Sequence, residues 1–424
     1  MKSENWILIF AVCLLIVGLV GCESSTHGEA GSDSDSDSDG DTDSDGDSDS
    51  DGDTDGPPGD LTGEVRSASG FPISGALVYV TNGDGEQIPD EAYCYTCDDM
   101  TDKKWTLSQA DGSWSIANVP EGQRNLVTRK GFFQRQRSIE VVAGQENQIP
   151  VEKTTLPGEN SSDNLDQIPN YAVLLNTYDK PEDMLAKMGL ADLDTSGHMQ
   201  PGTEQFHMYN DAESLLSAVG SESDLFASQA SLNHYHMIFF PCASTSHNVP
   251  MIQEYVSGGG KIYSSCWASS WVEDPYPDVV AFAGIDSEHP GDIGPWDSQG
   301  KIEDQEMRDW LAEVAPTENL DNYPFFGGWI LINSLSSSSY NTHGVLDDGS
   351  IGGPVIPTTW VTDVETNAGH PLTLTFPYDC GKIFFSTYQV VESTPSPEIR
   401  AQEWVLIYLF YEVGVCEGDY EVPE

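Results

Sequence analysis

Apolar residues follow three regimes along the chain. Trp6 to Val20 is a nearly continuous apolar run. From Asp33 to Asp55 every second residue is Asp, with Ser, Thr or Gly between, and no apolar residue occurs. From Leu61 onward short apolar runs return. Leu61–Val65, Ala76–Val80, Ser113–Ile116, Leu126–Thr128, Arg137–Val142 and Asn147–Val151 are β-prone and separated by turn residues such as Gly70-Phe-Pro72 and Asp111-Gly112. Strands of that length and spacing predict an all-β sandwich over 61–156. Residues 157–165 are polar and read as a linker. The pattern then changes. Tyr171–Leu175, Met237–Phe240, Lys261–Ser264 and Gly381–Ser386 read as buried strands. Between them lie helical segments at Pro181–Met188, Pro250–Val256, Asp304–Val314 and Ile399–Val413. Pro opens the first of these helices, and Gly258-Gly-Gly260 stops the second. Alternation of this kind predicts an α/β parallel-sheet (flavodoxin-like) domain over 166–416, with helices on both faces and an acidic tail at 417–424.

The first apolar run has Lys2 before it and Leu19-Val-Gly-Cys22 after it. A charged start, a hydrophobic stretch and small residues form a secretory signal, and the small-small-Cys ending resembles a bacterial lipobox. The resemblance implies a signal peptide at 1–21, acylation of Cys22, and a chain outside the cytoplasm from Glu23 onward. The alternative is a plain transmembrane anchor, for which about fifteen apolar residues are too few. The Asp-rich stretch lies within a tether at 22–60. It has nothing to bury, so it is expected to be disordered and extended by its own charge. Its repeat, from Asp35, Asp37 and Asp39 to Gly40, looks like the start of a calcium loop. The bidentate Glu expected at position twelve is missing, so calcium is at most a weak candidate cofactor.

The formal net charge is −53 over 424 residues, and only 17 residues are Lys or Arg. That excludes nucleic acid, which needs cationic contacts to phosphate. It also disfavours anionic lipid head groups, leaving membrane attachment to the acyl chains. Charge of one sign favours a monomer.

Gly63-Glu-Val65, Gly70-Phe-Pro-Ile-Ser-Gly-Ala-Leu-Val78, Ala110-Asp-Gly-Ser-Trp-Ser-Ile116, Val119-Pro-Glu-Gly122 and Lys130-Gly-Phe132 resemble the carboxypeptidase regulatory-like domain. The resemblance implies a small transthyretin-like sandwich without catalytic residues, sometimes grouped with carbohydrate-binding sandwiches.

Eight cysteines occur. With Cys13 in the signal and Cys22 acylated, Cys94, Cys97, Cys242, Cys266, Cys380 and Cys416 remain, an even set expected to form disulfides in an exported chain. Cys94-Tyr-Thr-Cys97 could be redox-active, half a zinc site or a local disulfide. It lacks the strand–helix setting of the first and the second pair of the second, so a local Cys94–Cys97 bond is expected. Cys242 and Cys266 follow two predicted neighbouring strands, about five ångströms apart and within bonding reach. Cys380 is then left for Cys416.

His236-Met-Ile-Phe-Phe-Pro-Cys242 and Ile252 through Gly258-Gly-Gly-Lys-Ile-Tyr-Ser-Ser-Cys266 resemble the centre of a class I glutamine amidotransferase-like (ThuA-like) domain. Gly381–Ser386 and the helix running to Cys416 resemble its end in exported bacterial lipoproteins that join these two modules. The resemblance places Cys266 where the nucleophile would stand. Ser264-Ser-Cys-Trp-Ala268 lacks both glycines of the usual turn, and no His follows Pro371. Tyr388 and Gln389 occupy the region where a base would be needed, and neither acts as one at neutral pH. Cys266 is therefore a weak catalytic candidate. His234 and His236 share one side of an extended run and form a weak metal candidate. Trp267, Trp271 and Trp296, with Asp274 and Asp278, are candidates for an aromatic, acidic ligand surface at the carboxyl ends of the strands.

The sequence thus predicts a lipid-anchored protein of the bacterial cell envelope, at the outer membrane or cell surface. It is expected to be non-enzymatic and to bind or display a glycan or protein partner. The alternatives are a degenerate hydrolase working around Cys266 and a calcium-responsive adhesion module.

Overall fold

The computed structural model describes residues 57–424 apart from 212–213, 284–295, 337–339, 346–350, 391–395 and 417–424. Cys22, Asp35, Asp37, Asp39, the signal segment and the acidic tail lie outside the described residues. Among the described residues no helix is long and apolar enough to cross a membrane.

The first module is a β-sandwich. One sheet has three strands in the order Ser113–Val119, Gly59–Glu64, Glu146–Gln148. The other has five, in the order Lys104–Leu107, Leu77–Thr81, Gly122–Lys130, Phe133–Val141, Asp166–Gln167. Period-two alternation turns Trp114 and Ile116 inward from one strand and Ile139 and Val141 from another, and Val119 is buried after a break in the alternation at Asn118, which has φ +56°. The sandwich also recruits Asp166–Gln167, beyond the expected linker. Arg135 forks onto Asp166 at 2.9 and 3.0 Å, and Arg137 reaches the same carboxylate at 2.6 Å. Asp166–Gln167 thus adds a short edge strand to the five-stranded sheet after the 157–165 segment.

The second module is built on a ten-stranded mixed sheet. Its first six strands are parallel, in the order Gly220–Ser221, His207–Asn210, Tyr171–Leu175, Met237–Phe240, Lys261–Ser265, Gly381–Ser386. Leaving aside the two-residue edge strand, this is the doubly wound order of flavodoxin-like sheets. Pro371–Tyr378, Thr358–Asp363, Trp296–Ile302 and Tyr323–Gly328 then extend the sheet with antiparallel pairings. The sequence reading has no counterpart for these four strands. They join through hairpins and returns, which do not produce the strand–helix alternation that marks a parallel sheet.

The helices form where expected. Asp304 caps Gln305–Val314 by accepting from the amide of Met307 at 2.7 Å. Ala401–Glu412 is buried nearly all round, as its continuous apolar surface requires. Val249–Ser257 ends at the glycine run. There Gly259 has φ +105°, and a Cβ would lie 2.1 Å from the carbonyl oxygen of Tyr93, so only glycine admits that neighbour.

Tyr93 belongs to the long connection at 82–103, which lies across the α/β module and corrects the expected disulfide pattern. Cys94 bonds to Cys380 and Cys97 to Cys416; neither a local Cys94–Cys97 bond nor a Cys380–Cys416 bond forms. The proximity in sequence is outweighed by packing, because the connection runs flat over the neighbouring module and delivers each thiol to a different partner. Cys242–Cys266 forms as expected, with Cα atoms 4.9 Å apart. The two modules share one apolar core. Phe71 packs edge-on against Trp404 at 5.3 Å, Trp310 donates to the carbonyl of Pro72 at 2.7 Å, and Lys130 pairs with Glu412 at 2.6 Å.

Candidate functional site

The carboxyl ends of the parallel strands converge on Cys266. The strand Lys261–Ser265 ends in a sharp turn in which Cys266 adopts φ +53°, followed at once by a single 3-10 turn and the short helix Ser270–Glu273. A non-glycine residue in the left-handed region is strained. The strained strand-to-helix elbow is therefore present even without the glycines. Its thiol is not free, because Sγ is bonded to Cys242 and both residues are buried.

What surrounds the elbow is hydrogen-bonded framework. Asp179 is fully buried and accepts from Ser265 Oγ at 2.6 Å, from the amide of Val390 at 2.8 Å and from the amide of Lys180 at 2.9 Å. Burial pushes its carboxyl above the ordinary range, partly offset by those hydrogen bonds. Asp179 thus ties the ends of three parallel strands together. Tyr388 is buried, shares a hydrogen bond with Thr373, and has its phenol pushed up by burial. Gln389 is half-buried, its Nε2 4.0 Å from Cys266 Sγ. Neither residue is a base at neutral pH.

Three candidate tryptophans separate here. Trp267 projects from the elbow and is 37% exposed; its Nε1 donates to the carbonyl of Trp329 at 3.0 Å, and the two rings meet edge-to-face at 5.0 Å. Trp296 lies against Gly328, where a Cβ would come within 2.7 Å of its ring. Trp271 is a correction. It is fully buried, stacked on Phe240 at 3.8 Å and on Phe226 at 5.5 Å, and it donates to Ser244. It belongs to the core, because the short helix after the elbow turns it under the sheet end. Asp274 is held by Ser246 Oγ, in the loop that follows Met237–Phe240.

The missed members are Phe326 and Trp329, in Phe325-Phe-Gly-Gly-Trp329. Phe326 is 37% exposed. Gly327 takes φ +68°, and its amide donates to Asp297 at 3.3 Å. Trp329 donates its amide to the carbonyl of Thr387, beside Gln389. Gln402 fixes the arrangement from below, accepting from the amide of Phe326 at 2.9 Å and donating to the carbonyl of Gln389 at 2.7 Å. The two glycines between aromatic residues were the available signal. Its meaning depended on the antiparallel strands that bring 323–329 alongside 387–389.

The histidine pair is also corrected. His236 is buried, stacked on Phe132 at 4.5 Å, with Nδ1 accepting from the amide of Asn170 and Nε2 donating to the carbonyl of Pro89, each at 2.8 Å. Both ring nitrogens are thereby used, and none remains for a metal. His234 stacks instead on His207 at 5.9 Å. Among the described residues no three His, Cys, Asp or Glu side chains come together as metal ligands.

No curated protein matches the chain. Among solved structures, a ThuA-like protein from Parabacteroides merdae is similar at 15% identity, covering 61% of this chain and 94% of that one, with a TM-score of 0.31. A cytoplasmic protein from Salmonella typhimurium is similar at 9% identity, covering 58% of this chain and 99% of that one, with a TM-score of 0.31. The Bacillus anthracis TIE protein is similar at 15% identity over 24% of this chain, which spans 16% of that protein's length, with a TM-score of 0.17. Residues 60–153, within the β-sandwich, match the model of the carboxypeptidase regulatory-like domain.

Proposed function

We propose that this protein is a lipid-anchored, extracytoplasmic binding or display protein of a bacterial envelope, acting without catalysis and taking a glycan or protein ligand. One observation carries the non-enzymatic reading: Cys266, at the elbow where the resemblance sets a nucleophile, is bonded to Cys242. A disulfide sulfur is not a thiolate, and Tyr388 and Gln389 offer no base. Three disulfides suit an oxidising compartment, in line with export and acylation at Cys22.

The second reading, a hydrolase using Cys266, draws on the strained elbow at φ +53°. Alkylation of the native protein without reduction, followed by peptide mass mapping, separates the two. The binding reading expects Cys242 and Cys266 in one linked species and no label on either. Rapid labelling of Cys266 at neutral pH overturns it. The anchor is tested separately, by metabolic labelling with a palmitate analogue. Label is expected in the intact chain and absent from Cys22→Ser; unlabelled intact chain overturns the anchor.

A further inference from the structure

We infer that the aromatic crest around Gly327-Gly328 binds the sugar ring of a neutral glycan, with Trp267 and Phe326 as stacking faces and Gln389 and Asp297 as hydroxyl partners. This deepens the binding reading above and rests on it.

Four separate chain segments contribute to the crest. Trp267 comes from the elbow, Phe326 from the strand Tyr323–Gly328 and Trp329 from just after it, Trp296 from the neighbouring strand, and Gln389 from the segment following Gly381–Ser386. A large apolar side chain left in water forgoes the gain of burial. Here two of them, Trp267 and Phe326, are each 37% exposed although the polypeptide around them is tightly fixed. Trp267 is held by its indole hydrogen bond to Trp329, and Phe326 by the backbone bond to Gln402. The Trp267 face is therefore pre-organised and the backbone carrying Phe326 is fixed, which lowers the ordering cost of binding.

Glycine at 327 leaves the surface beside it free of close side chains, while the Trp296 ring packs directly on Gly328. A Cβ on Gly327 would lie 4.0 Å from both Gln389 Oε1 and Trp329 Nε1, so the amide and the indole edge flank the same spot. Among the described residues the Gln389 amide nitrogen is directed at the Cys266 sulfur at 4.0 Å, a weak acceptor.

The chemistry selects the ligand. Aromatic faces beside a planar amide and a carboxylate match a ring with an apolar C–H face and a rim of hydroxyls. None of the crest side chains named is basic, Asp297 is acidic, and the whole chain carries −53, so an anionic ligand is repelled. A quaternary ammonium ion also suits aromatic faces. It would not use the amide, and Trp267 and Trp329 meet edge-to-face, so they do not present two parallel walls.

The test is calorimetric titration of the full-length protein with maltohexaose, cellohexaose, N-acetylchitohexaose and tetramethylammonium. At least one neutral hexasaccharide is expected to bind with a Kd of about 1 mM or tighter. Trp267→Ala and Phe326→Ala should each weaken it by about tenfold or more, while Trp267→Phe, which keeps a ring, should retain most of it. Gln389→Leu should weaken it with little change in thermal stability. The inference is overturned if no hexasaccharide binds, if both alanine variants bind normally, or if tetramethylammonium binds in their place. The mass of the recovered sugar separates failure of the sugar site from failure of the non-enzymatic reading. Shortened chains would end the non-enzymatic reading and leave the sugar site standing. Intact chains with no binding would end the sugar site alone.

Discussion

Cys94, in a loop of the β-sandwich, is bonded to Cys380, in the two-residue turn that leads into the last strand of the large sheet, across 286 positions of sequence. Cys97, three residues on, is bonded to Cys416 just past the last helix. The two bonds seal the sandwich loop onto both the sheet and the C-terminal helix. Removing either pair as a double serine variant should lower the unfolding free energy by roughly 2–4 kcal/mol. Removing both should cost less than twice that, because the loops they close largely coincide. Denaturation midpoints check the energies. A tryptic map without reduction checks the connectivity: no Lys or Arg separates Cys94 from Cys97, so their shared peptide should emerge carrying both partners.

His236 makes the same seam sensitive to acid. Its ring is neutral in the fold, with Nδ1 receiving an amide hydrogen from Asn170. Burial pushes its pKa down to about 4, partly offset by the bond to Pro89. In the unfolded chain it takes a proton near the ordinary histidine value of about 6.5. Below that pH the unfolded state binds more protons, so stability is complete above about pH 6.5 and falls as the pH drops toward 4, by on the order of 3 kcal/mol. Denaturant midpoints of the native protein and His236→Gln at pH 7 and 4.5 check this. The native protein should lose the larger share on acidification.

Glu182 works in the opposite direction. It is buried beside Asp183, with Lys180 at 3.7 Å and one carboxylate oxygen without a partner. Burial, opposed by Lys180, raises its pKa to about 8. The folded state therefore holds a proton that the unfolded chain has released, and stability declines as the pH rises from about 4.5 through 8. Glu182→Gln keeps the shape without the titration. It should be more stable than the native protein at pH 9 and indistinguishable from it at pH 4, as read from thermal melts.

Trp271 and Trp267, four residues apart, should behave as different kinds of residue. Trp271→Ala empties a buried stack with Phe240 and should cost about 3–5 kcal/mol. Trp267→Ala removes a partly exposed ring and should cost under about 1 kcal/mol. Chemical denaturation of the two variants side by side decides it. Equal losses would mean that Trp267 is core as well.

The elements themselves were legible from local pattern. Met237–Phe240 and Gly381–Ser386 are uninterrupted apolar runs bounded by turn residues, and such runs have nowhere to go but the interior of a sheet. The helix read over Asp304–Val314 forms at Gln305–Val314, because helical periodicity is a local property. The Cys242–Cys266 bond followed from strand adjacency alone. Other features depended on what packs against what. Cys94 and Cys97 looked like a pair until the loop carrying them was laid over the neighbouring module. His236 looked like a ligand until Asn170 and Pro89 took both its nitrogens. Trp271 and Trp267 share a composition and a neighbourhood in sequence, and one turn of backbone sends one ring inward and the other toward water. The crest required four antiparallel strands to bring Phe326 and Trp329 beside Gln389. Hydrophobic periodicity reports which side of an element is buried, and so the chain alone determined its elements and their order. It carries no term for the partner across a long-range contact, and that choice was made only by the tertiary structure.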